Sequence, residues 1–322
     1  MQLDAIRAYI NTDLVKVDHV IGDALGSDVH LIREMAQHIF GSGGKRLRPI
    51  LVLLSAQAFN YAGNYHYYLA AAVELIHTAT LLHDDVVDES SLRRGKKTAN
   101  AVWGNQESVL VGDFLYSRAF QMLVTTDNLA ILSLLADVSN IIAEGEVLQL
   151  LNIHENEVSE ANYLNVIQRK TAMLFSAASH ASAILCKRSE IEKQAMADYG
   201  LYIGTAFQLV DDILDYGFSS SDIGKNVGDD LAESKPTLPI IYAIQQSNEA
   251  QKAFIKNCLA QGEVSQLPVI KEILESTNSI AYTYDLAKDY IDKAIKSLEI
   301  IPDSSAKNVM IELAHYVVSR QT

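Results

Sequence analysis

Cysteine is almost missing from this chain: Cys186 and Cys258 are the only two. They are too few for a disulfide framework and show no metal-ligand spacing, so both read as reduced core thiols. Proline is nearly as scarce, with five residues at Pro49, Pro236, Pro239, Pro268 and Pro302 and none between the first two. Proline is the residue that most reliably breaks a helix, so long helices are expected across that stretch. Basic residues are outnumbered too. The 322 residues include 26 Lys and Arg against 40 Asp and Glu, a net charge of −14, which argues against a general nucleic-acid binder because phosphate backbones need a basic stripe. No run of about 18 apolar residues occurs, so no transmembrane segment is expected, while transient contact with a bilayer surface stays open. The first twenty residues carry acids in amphipathic turns in place of the basic-then-apolar pattern of a signal peptide. They read as part of the fold of a cytoplasmic protein.

Hydrophobic residues make up 49% and charged residues 20% of the chain, ample for a buried core and unlike a disordered segment. Apolar positions recur at helical spacing, as in Ile50, Leu51, Leu54, Ala58 and again in Leu69, Val73, Ile76, Thr80. The pattern predicts helices over roughly 3–20, 28–40, 48–62, 65–87, 107–124, 128–152, 160–186, 189–217, 235–247, 249–260, 265–275, 279–298 and 303–320. Asn-Gly and Asp-Gly hairpin signals are absent. The fold class is therefore all-α, and with no linker and no solenoid-period repeat the chain reads as one domain over residues 1–322, a single large helical bundle.

Chemistry enters at Leu82-His83-Asp84-Asp85-Val86-Val87-Asp88, where an almost apolar helix ends in the pattern D-D-x-x-D. Asp84 and Asp88 are one helical turn apart and can share a cation, with Asp85 flanking. Carboxylates at a helix C-terminus oppose the macrodipole, so something positive should compensate them. An all-oxygen donor set with no His or Cys at ligand spacing suits Mg²⁺. Alone, this could be a solvated acidic helix end. Asp211, Asp212 and Asp215 repeat the pattern at the end of a second long apolar helix, and two such ends imply two metal-binding walls facing one pocket. That arrangement would clamp a diphosphate leaving group as its charge grows. Gly41-Ser42-Gly43-Gly44-Lys45-Arg46-Leu47-Arg48-Pro49 adds a glycine-rich turn running into a helix start, with amides available to an anion. It is not a Walker A loop, since Ile39 and Arg46 stand where that motif needs Gly and Ser or Thr.

On these motifs, together with Arg93-Arg94-Gly95, Lys170-Thr171, Gln208 before the second triad, Gly224-Lys225, Gly228-Asp229-Asp230-Leu231 and Lys235-Pro236-Thr237, the chain resembles the trans-type polyprenyl diphosphate synthases over nearly its whole length. One small departure is Ser234, where the family usually has Gly. The resemblance implies the isoprenoid synthase fold with a central substrate cavity. It implies that Asp84, Asp85, Asp88, Asp211, Asp212 and Asp215 hold Mg²⁺, that Arg93, Lys170, Thr171, Gln208, Lys225 and Lys235 bind an allylic diphosphate, and that Lys45, Arg48, His77 and Arg94 bind isopentenyl diphosphate. Of these, Asp84, Asp85, Asp88, Lys170, Asp211, Asp212 and Lys225 are the expected catalytic set. The family is generally homodimeric.

Product length should be set along the helix leading into the first triad. Ala79 and Thr80 lie about 6–7.5 Å before Asp84 on a helix, where short-chain members of the family carry aromatic residues; small residues there imply an open tunnel and a long product. Ile76 and Met122 are candidates for its floor. Overall similarity points to the bacterial octaprenyl synthases that supply quinone side chains such as that of ubiquinone, with a shorter-chain synthase as the alternative. A terpene cyclase on the same fold would lack the intact second triad. A non-catalytic partner subunit would tend to lose the acidic motifs, and a helical scaffold would leave their pairing unexplained.

Overall fold

A computed structural model describes residues 2–41, 43–93, 95–152, 158–217 and 227–320. The expected first helix is two, α1 (Leu3–Tyr9) and α2 (Asn11–Ala24), parted at Ile10, whose ψ of 15° leaves helical values while its side chain enters the core. After α3 (His30–Phe40), the chain turns through Arg46 at φ 53° into α4 (Leu47–Ala58), with Pro49 in the first turn, where a missing amide hydrogen costs nothing. Helix α5 (Tyr65–Val87) is wholly buried from Leu69 to Val73. A helix with no polar face over that length must sit inside the bundle, and it does.

Two short features interrupt the helices next. Strands β1 (Leu92–Arg93) and β2 (Lys96–Lys97) pair antiparallel, Leu92 opposite Lys97. They are too short to show alternation in a sequence. Then come α6 (Ala99–Trp103), α7 (Asn105–Val124) and α8 (Leu129–Asn152). The helix expected over 160–186 is α9 (Glu160–Ile167), a π-helical turn at Gln168–Ala172, and α10 (Met173–Leu185). Helix α11 (Glu190–Asp215) opens with a capping box in which Ser189 and Glu192 satisfy each other's backbone amides, which fixes its start.

The remaining helices are α12 (Asp229–Ala232), α13 (Leu238–Gln246), α14 (Glu249–Gln261), α15 (Leu267–Ser276), α16 (Ser279–Ser297) and α17 (Ser305–Ser319). The main core is formed by α5 against α4 and α7, α10 against α11, and α11 against α16. A smaller core, including Tyr216, Leu231, Ile255, Cys258, Ile270 and Leu274, lies under α12 to α15. No helix among the described residues is long and apolar enough to cross a membrane. The layout matters for one reason: α5 and α11, each ending in an aspartate triad, end at the same cavity.

Candidate active site

That cavity has a volume of about 800 Å³. Asp84, Asp88, Asp211, Asp212 and Asp215 line it, and so do Lys45, Arg48, His77, Arg93, Lys170, Thr171, Gln208 and Lys235. Residues spread over most of the sequence therefore meet at one place. Arg94 and Lys225 lie outside the described residues. Thr80 lines the cavity, whereas Ala79, Ile76 and Met122 are buried and do not.

The aspartates fall into two groups by what already holds them. Asp85 is buried and off the lining; its Oδ1 accepts from Arg93 Nε at 2.9 Å and Nη2 at 2.8 Å, so it aims the arginine. Asp212 accepts from Gln208 Nε2 on one oxygen at 2.7 Å and from the buried Tyr163 hydroxyl on the other. Asp215 accepts the backbone amides of Asp229 at 3.2 Å and Asp230 at 3.0 Å, tying α12 to the end of α11. The other three line the cavity, and among the described residues each is held by a base on one oxygen. Asp84 faces Lys170 Nζ at 3.7 Å, Asp88 faces Lys235 Nζ at 2.9 Å, and Asp211 faces Arg320 Nη1 at 3.3 Å.

Acids outnumber bases on the lining, and the electrostatics show it. Burial, aided by neighbouring carboxylates, pushes Asp212 and Glu146 up to about 7 and Asp215 up to about 6. Burial alone would lower the Lys235 ammonium, but Asp88 and Glu233 outweigh it and raise it. Arg48 is poised differently from Lys235. Arg48 has its Nε buried without a hydrogen-bond partner among the described residues and its guanidinium 4.3 Å from the Phe175 ring centroid, and burial lowers its pKa to about 10. A buried cation so incompletely matched is a site for an anion.

Several lining residues carry no signal in a single sequence. Tyr163 reaches Asp212 across 49 residues, and Arg320 reaches Asp211 across 109. Glu146 and Gln149, one turn apart on α8, both hold Lys170 Nζ, at 2.5 and 2.7 Å. An acid and an amide at that spacing within the apolar run of α8 was a readable clue.

A helical bundle in which two long, largely apolar helices deliver paired acid triads to a base-lined cavity defines a class: enzymes that handle anionic substrates with divalent cations. Comparison with known proteins makes the class definite. Residues 29–277 match the polyprenyl synthetase family model, and the chain belongs to that family. It is 47% identical over 322 residues to the octaprenyl diphosphate synthase of Escherichia coli (strain K12), covering 99% of both chains. It is 42% identical to a geranyl-diphosphate-specific all-trans-nonaprenyl-diphosphate synthase of Rhodobacter capsulatus, covering 98% of this chain and 97% of the relative. A crystal structure of a Caulobacter crescentus polyprenyl synthase, complexed with calcium and isoprenyl diphosphate, superposes with a TM-score of 0.95 at 43% identity, covering 100% of this chain and 98% of that one. The protein is thus a prenyltransferase of the long-chain polyprenyl synthase kind.

Proposed function

We propose that this protein is an octaprenyl diphosphate synthase, one polyprenyl synthase domain over residues 1–322, which condenses isopentenyl diphosphate with an allylic diphosphate such as farnesyl diphosphate and whose product supplies quinone side chains. The observation carrying this reading is a single cavity that holds both aspartate walls and two groups of bases. Arg93, Lys170 and Lys235 lie with the acids and suit the allylic diphosphate. Lys45, Arg48 and His77 suit the diphosphate of isopentenyl diphosphate. The 47% identity to an octaprenyl synthase supports the product length.

The donor set fits Mg²⁺. Among the described residues no group of three or more His, Cys, Asp or Glu side chains is arranged to hold a metal ion. Mg²⁺ in phosphate sites takes one or two carboxylates and fills its shell with water and phosphate oxygens, a demand that the carboxylates on the cavity lining could meet. Asp84, Asp88 and Asp211 would be the direct ligands, because each lines the cavity and is reached on one oxygen by the described donors, whereas Asp85 lies off the lining and both oxygens of Asp212 and Asp215 are taken. Asp85, Asp212 and Asp215 would orient Arg93, Gln208 and α12. When bound there, divalent cations would neutralise charge on the departing diphosphate.

The chain's own residues then position and polarise. Lys170, Lys235 and Arg93 stabilise diphosphate as the allylic C–O bond breaks and its electron pair leaves with the oxygen. The double bond of isopentenyl diphosphate, held by Lys45, Arg48 and His77, attacks the allylic cation. A proton lost to the departed diphosphate completes a product one unit longer. No protein nucleophile is needed.

Apolar side chains exposed on α7 and α8, among them Leu110, Val124, Leu129, Val147 and Leu151, support a homodimer. We further infer a cytoplasmic protein whose apolar product leaves by peripheral contact with a membrane. Incubation with Mg²⁺, farnesyl diphosphate and isopentenyl diphosphate tests the whole reading. Diphosphate release with an octaprenyl product is expected. Release without extension would indicate a cyclase, a shorter product would correct the length, and no turnover would indicate a subunit needing a partner.

A further inference from the structure

The π-helical turn at Gln168–Ala172 lies between α9 and α10 with no other break from Glu160 to Leu185. Such turns take one residue more than an α turn and recur at functional sites. The effect here is specific. Tyr163, Ile167, Thr171 and Phe175 all line the cavity, at a constant spacing of four. In an unbroken α-helix each step of four overshoots by about 40°, so Phe175 would lie about 120° round from Tyr163. The extra residue takes back about 100° and keeps all four on one face. Lys170, next to Thr171, lines the cavity as well.

Two glycines seat this turn. A Cβ on Gly145 of α8 would stand 2.9 Å from Arg169 Cβ and from the Lys170 backbone nitrogen. A Cβ on Gly204 of α11 would stand 2.6 Å from Ala172 Cα and 2.9 Å from Ala172 Cβ. Both separations are below ordinary contact, so any larger residue must displace the turn. Glycine is disfavoured in helix interiors, which leaves close approach as what these two supply. Each helix also grips a side chain of the turn. Glu146 and Gln149, beside Gly145, hold Lys170 Nζ at 2.5 and 2.7 Å, and Gln208, one turn beyond Gly204, accepts from Thr171 Oγ1 at 3.0 Å.

We propose that Gly145, Gly204 and Glu146 are positioning residues for prenyl transfer: they seat the wide turn so that the Lys170 ammonium and the Thr171 hydroxyl meet the allylic diphosphate together. This rests on the reading of the cavity as a diphosphate site. Steady-state kinetics of Gly145→Ala, Gly204→Ala and Glu146→Ala, with Tm measured alongside, test it. The KM for farnesyl diphosphate should rise about tenfold to a hundredfold, the cost of misplacing a binding group by about 1 Å, while that for isopentenyl diphosphate moves by less than about twofold. Glu146→Gln, which keeps an acceptor for Lys170, should recover most of the loss seen in Glu146→Ala. The Glu146 pair truncates only a cavity-wall side chain, so it decides the matter if a glycine variant does not fold. Unchanged KM values in folded variants, or equal rises for both substrates, overturn the proposal. A wild-type protein that releases no diphosphate from this substrate pair overturns the functional reading itself, and this proposal with it.

Discussion

Replacing Arg48 with methionine should move stability and function in opposite directions. Burial lowers the Arg48 pKa to about 10 against the help of Glu74, and its Nε has no hydrogen-bond partner among the described residues. A drop of that size corresponds to a few kcal/mol at about 1.36 kcal/mol per unit. Arg48 is half-buried on the cavity lining, and solvent screening of a group so placed would reduce the net cost to about 1–2 kcal/mol. Methionine fills the space of the stem without a charge, so the substrate-free protein should gain about that much. The gain amounts to a rise in Tm of about 1.5–3 °C. Losing a charge-assisted fork on a diphosphate removes about 1.5–3 kcal/mol of binding, so KM for isopentenyl diphosphate should rise about 10- to 150-fold. Differential scanning fluorimetry without substrate and steady-state kinetics read the two effects separately. A lower Tm would refute the account of Arg48 as an incompletely matched buried cation. An unchanged KM would refute its place on a diphosphate.

Ala79→Tyr should shorten the product, since it puts an aromatic ring one turn before the first triad; an unchanged distribution on reverse-phase chromatography would remove Ala79 from length control. Lys235→Ala leaves Asp88 and Glu233, now 2.9 and 2.6 Å from its Nζ, without their shared cation. It should cost about 1–3 kcal/mol in urea denaturation at pH 8 and raise KM for the allylic substrate; equal stability to wild type would contradict the pairing. Between pH 8 and 6.5 the metal-free protein should gain stability as pH falls. Asp212 and Glu146 are pushed up to about 7 in the fold but lie at about 4 when unfolded, so only the folded state takes up these protons in that window, and the gain is lost again as pH rises through 7. Asp212→Asn should flatten that slope, and an identical slope in the variant would refute the assignment.

The fold class was legible because helical periodicity and the proline-free stretch act locally, within a few turns of chain. The acid triads were legible for the same reason, each being a contiguous motif. What the two triads do differently was not. Asp85, held by Arg93 off the lining, and Asp212 and Asp215, held on both oxygens, are the same residue type in the same motifs as the three with an oxygen left toward the cavity. Only the packing of distant elements separates them. The junction at Ile10 was hidden because an apolar side chain fits a continuous helix as well as a corner. The π turn was hidden because its residues, Gln-Arg-Lys-Thr-Ala, have ordinary helical propensity; the steric demand comes from glycines on two other helices.

The pairing of Asp84 with Lys170, Asp88 with Lys235 and Asp211 with Arg320 means that the resting site carries its own counter-ions. Loading it with cations and diphosphate would be an exchange of partners, acids passing to the incoming cations and bases to the incoming anion, with little change in local charge. Few bulk ions need to be released in such an exchange. Substrate affinity in this protein should therefore depend only weakly on ionic strength, unlike sites that attract a phosphate from a bare basic surface.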